Sequence, residues 1–258
     1  MPVMQAPLIR TLSYNIHKGY SVGNRRYVLK GMRQALHNLA PDLLLLQEVR
    51  GMQLEPGGGV HSQCSYLGEA HWPHRAYGRN AVTRAGHHGN AILSRYPILH
   101  WENLDISTYE LERRGLLHAV LDHPNLNANL HVMCLHLNLF QRGRRKQIEA
   151  ICHRIEKAVP AHEPLILAGD FNDWRQELSG ILEHQAGLRE AHREHHGSHA
   201  RSFPSWLPML SLDRIYFRGL EPHSTRPLTE KPWRSLSDHA PLYSEFEMAS
   251  SAKRLAAG

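Results

Sequence analysis

Cysteine is scarce in this chain of 258 residues, which holds only Cys64, Cys134 and Cys152. Three is an odd number and none forms a CxxC pair. That argues against a disulfide framework or a zinc ribbon and leaves reduced, buried thiols as the expectation. Long apolar runs are missing too. None approaches the ~20 residues that a bilayer-spanning helix needs. The opening MPVMQAPLIR lacks the basic and apolar regions of a secretory signal. Both absences favour a cytoplasmic protein. No linker and no short-period repeat divides the sequence, so residues 1–248 are expected to form one domain, with 249–258 as a frayed tail. Acid is in deficit: Asp and Glu number 24 against 30 Lys and Arg, a net charge of +6. The balance favours polyanionic partners such as nucleic acid, phospholipid headgroups or phosphorylated metabolites.

What is present is a series of short apolar runs that end beside polar groups. Residues 8–16 alternate and predict a first strand, finishing at Asn15-Ile16-His17. Val28, Met32, Leu36 and Leu39 recur at helical spacing until Ala40-Pro41. Residues 42–49 predict a buried strand that carries Glu48 as it exits, and the Gly-rich 51–63 predicts a loop or hairpin. Residues 89–94, 116–121 and 130–137 predict three more strands. An amphipathic helix over 141–159 places Ile148, Ile151 and Ile155 on one face. Residues 165–168 read as a buried strand stopped by Gly169, with Asp170-Phe171-Asn172-Asp173 following. Helix and loop are expected over 178–200, whose histidines lack a tight zinc spacing, and final strands over 212–217 and 242–248. Strands alternating with helices, and paired strands between them, argue an α/β fold with mixed sheets.

Single polar residues at strand ends have plain explanations. Glu48 would be the first solvated residue after a leucine run, His136 a core histidine, and Asp238 a turn initiator. Together Asn15, Glu48, Asn90, His136, Asp170, Asn172, Asp213, Asp238 and His239 supply acid, amide and imidazole, the groups that metal-assisted phosphoryl transfer requires. A phosphodiester is anionic, so attack by water is opposed until its charge is neutralised. Mg²⁺ does this through carboxylate ligands and water. A further carboxylate holds or deprotonates the attacking water, and amides and an imidazolium bond the phosphoryl oxygens.

SYNIH at 13–17, QEV at 47–49, GNAILS at 89–94, LHL at 135–137, GDFN at 169–172, LDRIY at 212–216 and SDHAP at 237–241 resemble the ordered motifs of the endonuclease/exonuclease/phosphatase superfamily. The resemblance covers roughly residues 8–248. It implies a four-layered α/β sandwich, with two mixed β-sheets face to face and helices outside, and a metal site at one end. By the same resemblance Glu48 binds Mg²⁺ (Mn²⁺ as substitute), with Asn15 and Asp238 supporting metal or water. Asp170 activates the water, Asn172 bonds the attacked phosphate, and His239 contacts the phosphate while Asp213 holds it. Asn90 orients Asp170 or the phosphate, and His136 is a phosphate ligand or the acid for the leaving oxygen. A histidine in the LHL strand is shared with members resembling deoxyribonuclease I, sphingomyelinases and inositol-polyphosphate phosphatases, and leans away from abasic-site repair. Arg113-Arg114-Gly115 reads first as a solvated strand start, with Arg114 as a candidate phosphate clamp. The expected function is hydrolysis of a phosphodiester in nucleic acid or a phospholipid headgroup. The alternatives are a phosphomonoesterase on a small molecule or a non-catalytic binding module. Peripheral membrane contact is compatible with the charge, and a monomer is the family-level expectation.

Overall fold

The computed structural model describes residues 8–54, 60–83, 86–110, 112–124, 126 and 128–248. The expected tail at 249–258 lies outside the described residues, as does the 55–59 part of the Gly-rich segment. One six-stranded sheet runs β13 (Leu220–Pro227), β14 (Leu242–Met248), β1 (Ile9–Asn15), β2 (Leu43–Arg50), β6 (Gly86–Ser94), β5 (His74–Thr83). The other runs β11 (Arg189–Glu190), β12 (Asp213–Arg218), β10 (Leu165–Asp170), β9 (Leu130–His136), β8 (Gly115–Leu121), β7 (Ile98–Asp105). A small antiparallel hairpin joins β3 (Met52–Leu54) to β4 (Val60–Ser62), as the Gly-rich segment suggested. The helices are α1 (Leu29–Leu39), α2 (Gln63–Gly68), α3 (Gln141–Ala158), α4 (Ser179–Ala186) and α5 (Ala191–His196). Each sheet has one parallel pair, β1 with β2 and β9 with β10, among antiparallel neighbours. The sheets are therefore mixed, as expected.

Strand periodicity decides what faces what, because successive side chains point to opposite faces. From the first sheet Ile9, Leu43, Leu45 and Ile92 meet Val132, Cys134, Ile166, Ala168, Ile215 and Phe217 of the second, forming the layer between the sheets. The intervening residues Leu12, Tyr14, Leu44 and Leu46 point the other way, onto Met32 and Leu36 of α1 and Leu67 of α2. Met133, Leu135, Leu165 and Leu167 likewise pack on Ile148, Ile151 and Ile155 of α3 and Leu182 of α4. Burying each such side chain is worth roughly 1.5–3 kcal/mol. Leucine runs such as 43–46 thus serve two layers at once, and the result is helix, sheet, sheet, helix.

Four strands, β5, β7, β11 and β13, were not anticipated, and they are the four outer edges of the two sheets. Edge strands face water and carry polar side chains. In β7, ILHWENLD, every residue is exposed or only partly buried, so no apolar run marks it. The stretch 178–200 resolves into α4, the two-residue β11 and α5.

Candidate active site

The alternation that buries the core also assembles the polar cluster. Stepping by twos along the inner faces leads from Ile9 to Asn15, from Ile92 to Asn90, from Val132 to His136, from Ile166 to Asp170 and from Ile215 to Asp213. All five are buried. Asp170 is the register partner of His136 on one side and of Asp213 on the other. The two sheets are tied at this end by Asn15, whose Nδ2 donates to Asp170 Oδ2 at 3.1 Å.

Glu48 follows a different rule. Gln47 points inward, onto Ser13 and Cys134, so plain alternation would send Glu48 to the outer face. Register breaks there: Leu46 pairs with Ala91 and Val49 with Gly89, so Gln47 and Glu48 together oppose the single Asn90. This is a β-bulge, and Glu48 takes the left-handed conformation it needs, with φ of 55°. Strain of this kind in a non-glycine residue costs about 1–3 kcal/mol and concentrates at functional sites. The bulge re-aims the carboxylate. Its Oε2 lies 3.0 Å from Lys18 Nζ. Burial would raise the Glu48 pKa, but attraction to His136, Lys18 and His17 outweighs it and holds the pKa at about 2. His136 is itself neutral near pH 7, so Lys18 is the charge that matters there.

Asp170 is the centre of the site. Its Oδ2 lies 3.4 Å from His136 Nε2 and 3.7 Å from His239 Nε2, and its Oδ1 accepts from the Asn172 backbone N–H at 3.0 Å. The two imidazoles are in opposite protonation states. Burial, aided by the nearby Arg114 charge, pushes His136 well below the usual histidine range. Burial presses on His239 too, yet Asp213 and Asp170 overcome it and lift its pKa to about 10. His239 Nδ1 is 2.7 Å from Asp213 Oδ2, which also accepts from Ser202 Oγ at 2.6 Å. Burial raises the proton affinity of Asp170, with the His239 imidazolium opposing it. A buried carboxylate of raised proton affinity beside a fixed imidazolium is suited to take a proton from water.

The remaining sequence candidates fall nearby, with two corrections. Asn90 does not bond Asp170: its amide donates to the carbonyls of Gly115 at 3.0 Å and Cys134 at 3.2 Å. Asn15 makes the bond to Asp170 instead. Arg114 is not a solvated strand start. Its side chain is mostly buried and ion-paired to Glu112 at 2.9 Å, within electrostatic reach of His136. Asn172, at φ 49°, donates through Nδ2 to the Leu137 carbonyl at 2.9 Å. Asp238, at the edge, has Oδ1 3.5 Å from His17 Nδ1. Two residues escaped sequence reading. Lys18 follows the SYNIH motif directly, a signal that was available. Ser202 sits in no recognisable pattern.

Among the described residues two sets of side chains offer cation ligands. Asp170, Asp213 and His239 present ligand atoms within 4.8 Å of one another. His239 Nδ1 is already committed to Asp213, however, and a nitrogen donor suits Mg²⁺ poorly. Glu48 and Asp238 fit better, being all-oxygen donors with 18% and 25% of the side chain still open to solvent. The Lys18 ammonium against Glu48 is a built-in stand-in for a cation at that carboxylate.

A sequence profile described as the endonuclease/exonuclease/phosphatase family matches residues 12–239. The chain belongs to that family. The protein YbhP of Escherichia coli K12 is 42% identical over 247 residues, covering 93% of this chain and 96% of YbhP. An endonuclease/exonuclease/phosphatase from Beutenbergia cavernae superposes with a TM-score of 0.76 at 19% identity, over 95% of this chain and 72% of its own. Danio rerio TDP2, in a structure with a single-strand DNA product, gives 0.69 at 21% identity, over 93% and 99%. A mannosyl-6-phosphatase from Bacteroides thetaiotaomicron gives 0.70 at 15%, over 92% and 99%. At these identities the solved structures speak for the shared fold, the four-layered sandwich expected from the motifs. With the family established, the chain is a hydrolase of this superfamily, and its reaction is the next question.

Proposed function

We propose that this family member hydrolyses phosphodiesters with a divalent cation, Mg²⁺ or Mn²⁺, through in-line attack of water, and that residues 1–248 form the whole catalytic domain of a cytoplasmic monomer. The observation that carries the reading is the placement of Asp170, held by Asn15 of the first sheet and facing the imidazoles of His136, on the neighbouring β9, and of His239, on the loop before β14. Asp170 orients the water and takes its proton as the oxygen attacks phosphorus. The His239 imidazolium, held by Asp213, bonds a non-bridging oxygen as negative charge grows there. Neutral His136 donates a hydrogen bond to the phosphoryl group, and Asn172 turns its amide to the same group once substrate competes with the Leu137 carbonyl. Arg114 adds a fixed positive charge on the His136 side. Glu48, with Asp238 and Asn15 in support, holds the cation, which when bound neutralises the phosphate and the departing oxygen. A cation held there would take the place of the Lys18 ammonium, which lies 3.0 Å from Glu48.

The test is hydrolysis of bis-p-nitrophenyl phosphate in Mg²⁺ or Mn²⁺ against EDTA. Wild type is expected to turn over only with metal, and Glu48→Gln and Asp170→Asn to lose at least about 100-fold in rate while melting like wild type. Full activity in either variant refutes the assignment.

A further inference from the structure

The exposed apolar side chains are not scattered. Of the twelve large ones that are exposed among the described residues, eight lie on four loops around the site. Leu139 and Phe140 follow directly after the His136 strand, and Trp174 follows Asn172 and Asp173. Four more cap the loop at 203–210, which is closed by Leu210 N–H donating to the Phe203 carbonyl at 2.8 Å. These loops are bonded to the site. Ser205 N–H donates to the Asp238 carbonyl at 2.7 Å, its Oγ to Ser237 at 2.6 Å, and the Phe203 ring lies 5.0 Å from the His239 ring. Leu139 N–H donates to Glu112, the ion-pair partner of Arg114.

The charge is equally uneven. Segments 109–114, 139–146, 174–177 and 201–210 carry eight Arg and Lys against three Glu, so they hold five of the six net positive charges of the whole chain. Arg142, Arg145, Lys146, Arg175 and Arg201 on them are exposed. Apolar tips in a basic surround match one partner well. A membrane of anionic lipid takes Trp, Leu and Met into its interface while its phosphates pair with Arg and Lys. Single-stranded nucleic acid fits less well, because it needs free aromatic faces to stack bases. Four of the eight tips, Leu139, Leu207, Met209 and Leu210, have none. The Arg144 guanidinium lies over one face of Trp174 at 4.8 Å, and Tyr109 meets Phe140 edge-on at 6.2 Å, which leaves Trp206 as the open indole.

We propose that these loops dock the protein on an anionic phospholipid surface and present the site to lipid headgroup phosphodiesters. The substrate half rests on the phosphodiesterase reading; the docking half does not. The test is flotation of the full chain with vesicles of phosphatidylglycerol and phosphatidylcholine, against phosphatidylcholine alone, in EDTA so that binding is read without turnover. Wild type is expected to partition at least about tenfold more strongly to the anionic vesicles, and less so in 0.5 M salt. Trp206→Ser with Met209→Ser, and separately Phe140→Ser, are expected to lower partitioning about tenfold or more. The melting temperature is expected to stay within about 3 °C of wild type, and cleavage of the soluble ester within about twofold. Absence of anionic-vesicle binding, or variants that bind like wild type, overturns the docking surface. So does capture of a single-stranded oligonucleotide that these substitutions abolish while vesicle binding persists. Vesicle binding without cleavage of any phosphodiester keeps the docking surface and refutes the substrate; cleavage without binding does the reverse.

Discussion

The His239–Asp213 pair gives the sharpest test of the proposed chemistry. Burial alone would strip the His239 proton, and its pKa stands at about 10 because Asp213 and Asp170 oppose that. Replacing Asp213 by Asn removes one of the two charges and keeps the shape. Asp213 Oδ2 already accepts from His239 and Ser202, while Oδ1 is buried without a partner. The Asn oxygen can therefore replace Oδ2 and its amide fill the Oδ1 position, at a cost of about 1–3 kcal/mol for an unmatched donor. A unit charge ~4 Å away at an effective dielectric near 20 is worth about 4 kcal/mol, or about three pH units. His239 should then titrate near neutrality. The wild-type rate should stay flat on its basic side to beyond pH 9, whereas Asp213→Asn should lose activity through pH 7–8 and stand about 100-fold lower at pH 9. Ester hydrolysis across pH 6–10 reads this, with the His239 ring titration followed by NMR. A variant midpoint within one unit of wild type, or an unmoved basic limb, would show that Asp213 does not hold the proton.

Gly169, at φ +151°, cannot take a side chain: a Cβ there would lie 2.0 Å from the Leu135 carbonyl oxygen. Gly169→Ala should cost at least about 3 kcal/mol in urea unfolding, and a loss under 1 kcal/mol would mean that β9 and β10 part easily. Arg214, fully buried, donates to Asp173 Oδ2 at 3.0 Å and to the Asp173 carbonyl at 2.6 Å. Arg214→Met should destabilise by about 3–5 kcal/mol through the orphaned charge, with part of that recovered by adding Asp173→Asn; equal losses in single and double variants would refute that cause. On the outer face of the second sheet, burial lowers the His118 pKa from 6.5 to about 4. The unfolded chain thus binds more protons between those values, and stability falls as pH drops through that window. About 2 kcal/mol should be gone at pH 5 relative to pH 8, and His118→Gln should flatten that part of the urea-midpoint curve; an unchanged slope would assign it to other groups.

How far the chain could be read in advance follows from where each element sits. The interior strands were legible in two ways: Leu43–Leu46 and Leu165–Ala168 as continuous apolar runs, because both of their faces are covered, and β1 by the alternation of its apolar and polar residues. The four edge strands were not, since a residue that faces water carries no such requirement. The site divides along the same line. Asn15, His136 and Asp170 could be picked out because each is a polar interruption at the end of a buried run. Glu48 was named too, but nothing in QEV announces the bulge that turns it inward, because a left-handed residue inside a strand leaves no mark when it is not glycine. The bond from Asn15 to Asp170 crosses 155 positions, and only the packing of the two sheets makes it; the motif resemblance assigns the orienting of Asp170 or the phosphate to Asn90. The loop surface is the least legible part. Along the sequence the Arg142–Lys146 run reads as a solvated helix start and Arg113-Arg114 as a solvated strand start, and they join Arg175 and Arg201 in one patch only when β8, β9, β10 and β12 bring their loops to the same end. Lone tryptophans and leucines in loops read as ordinary exposed residues for the same reason. Exposure that is unremarkable residue by residue becomes an argument once four separate segments share it beside one site.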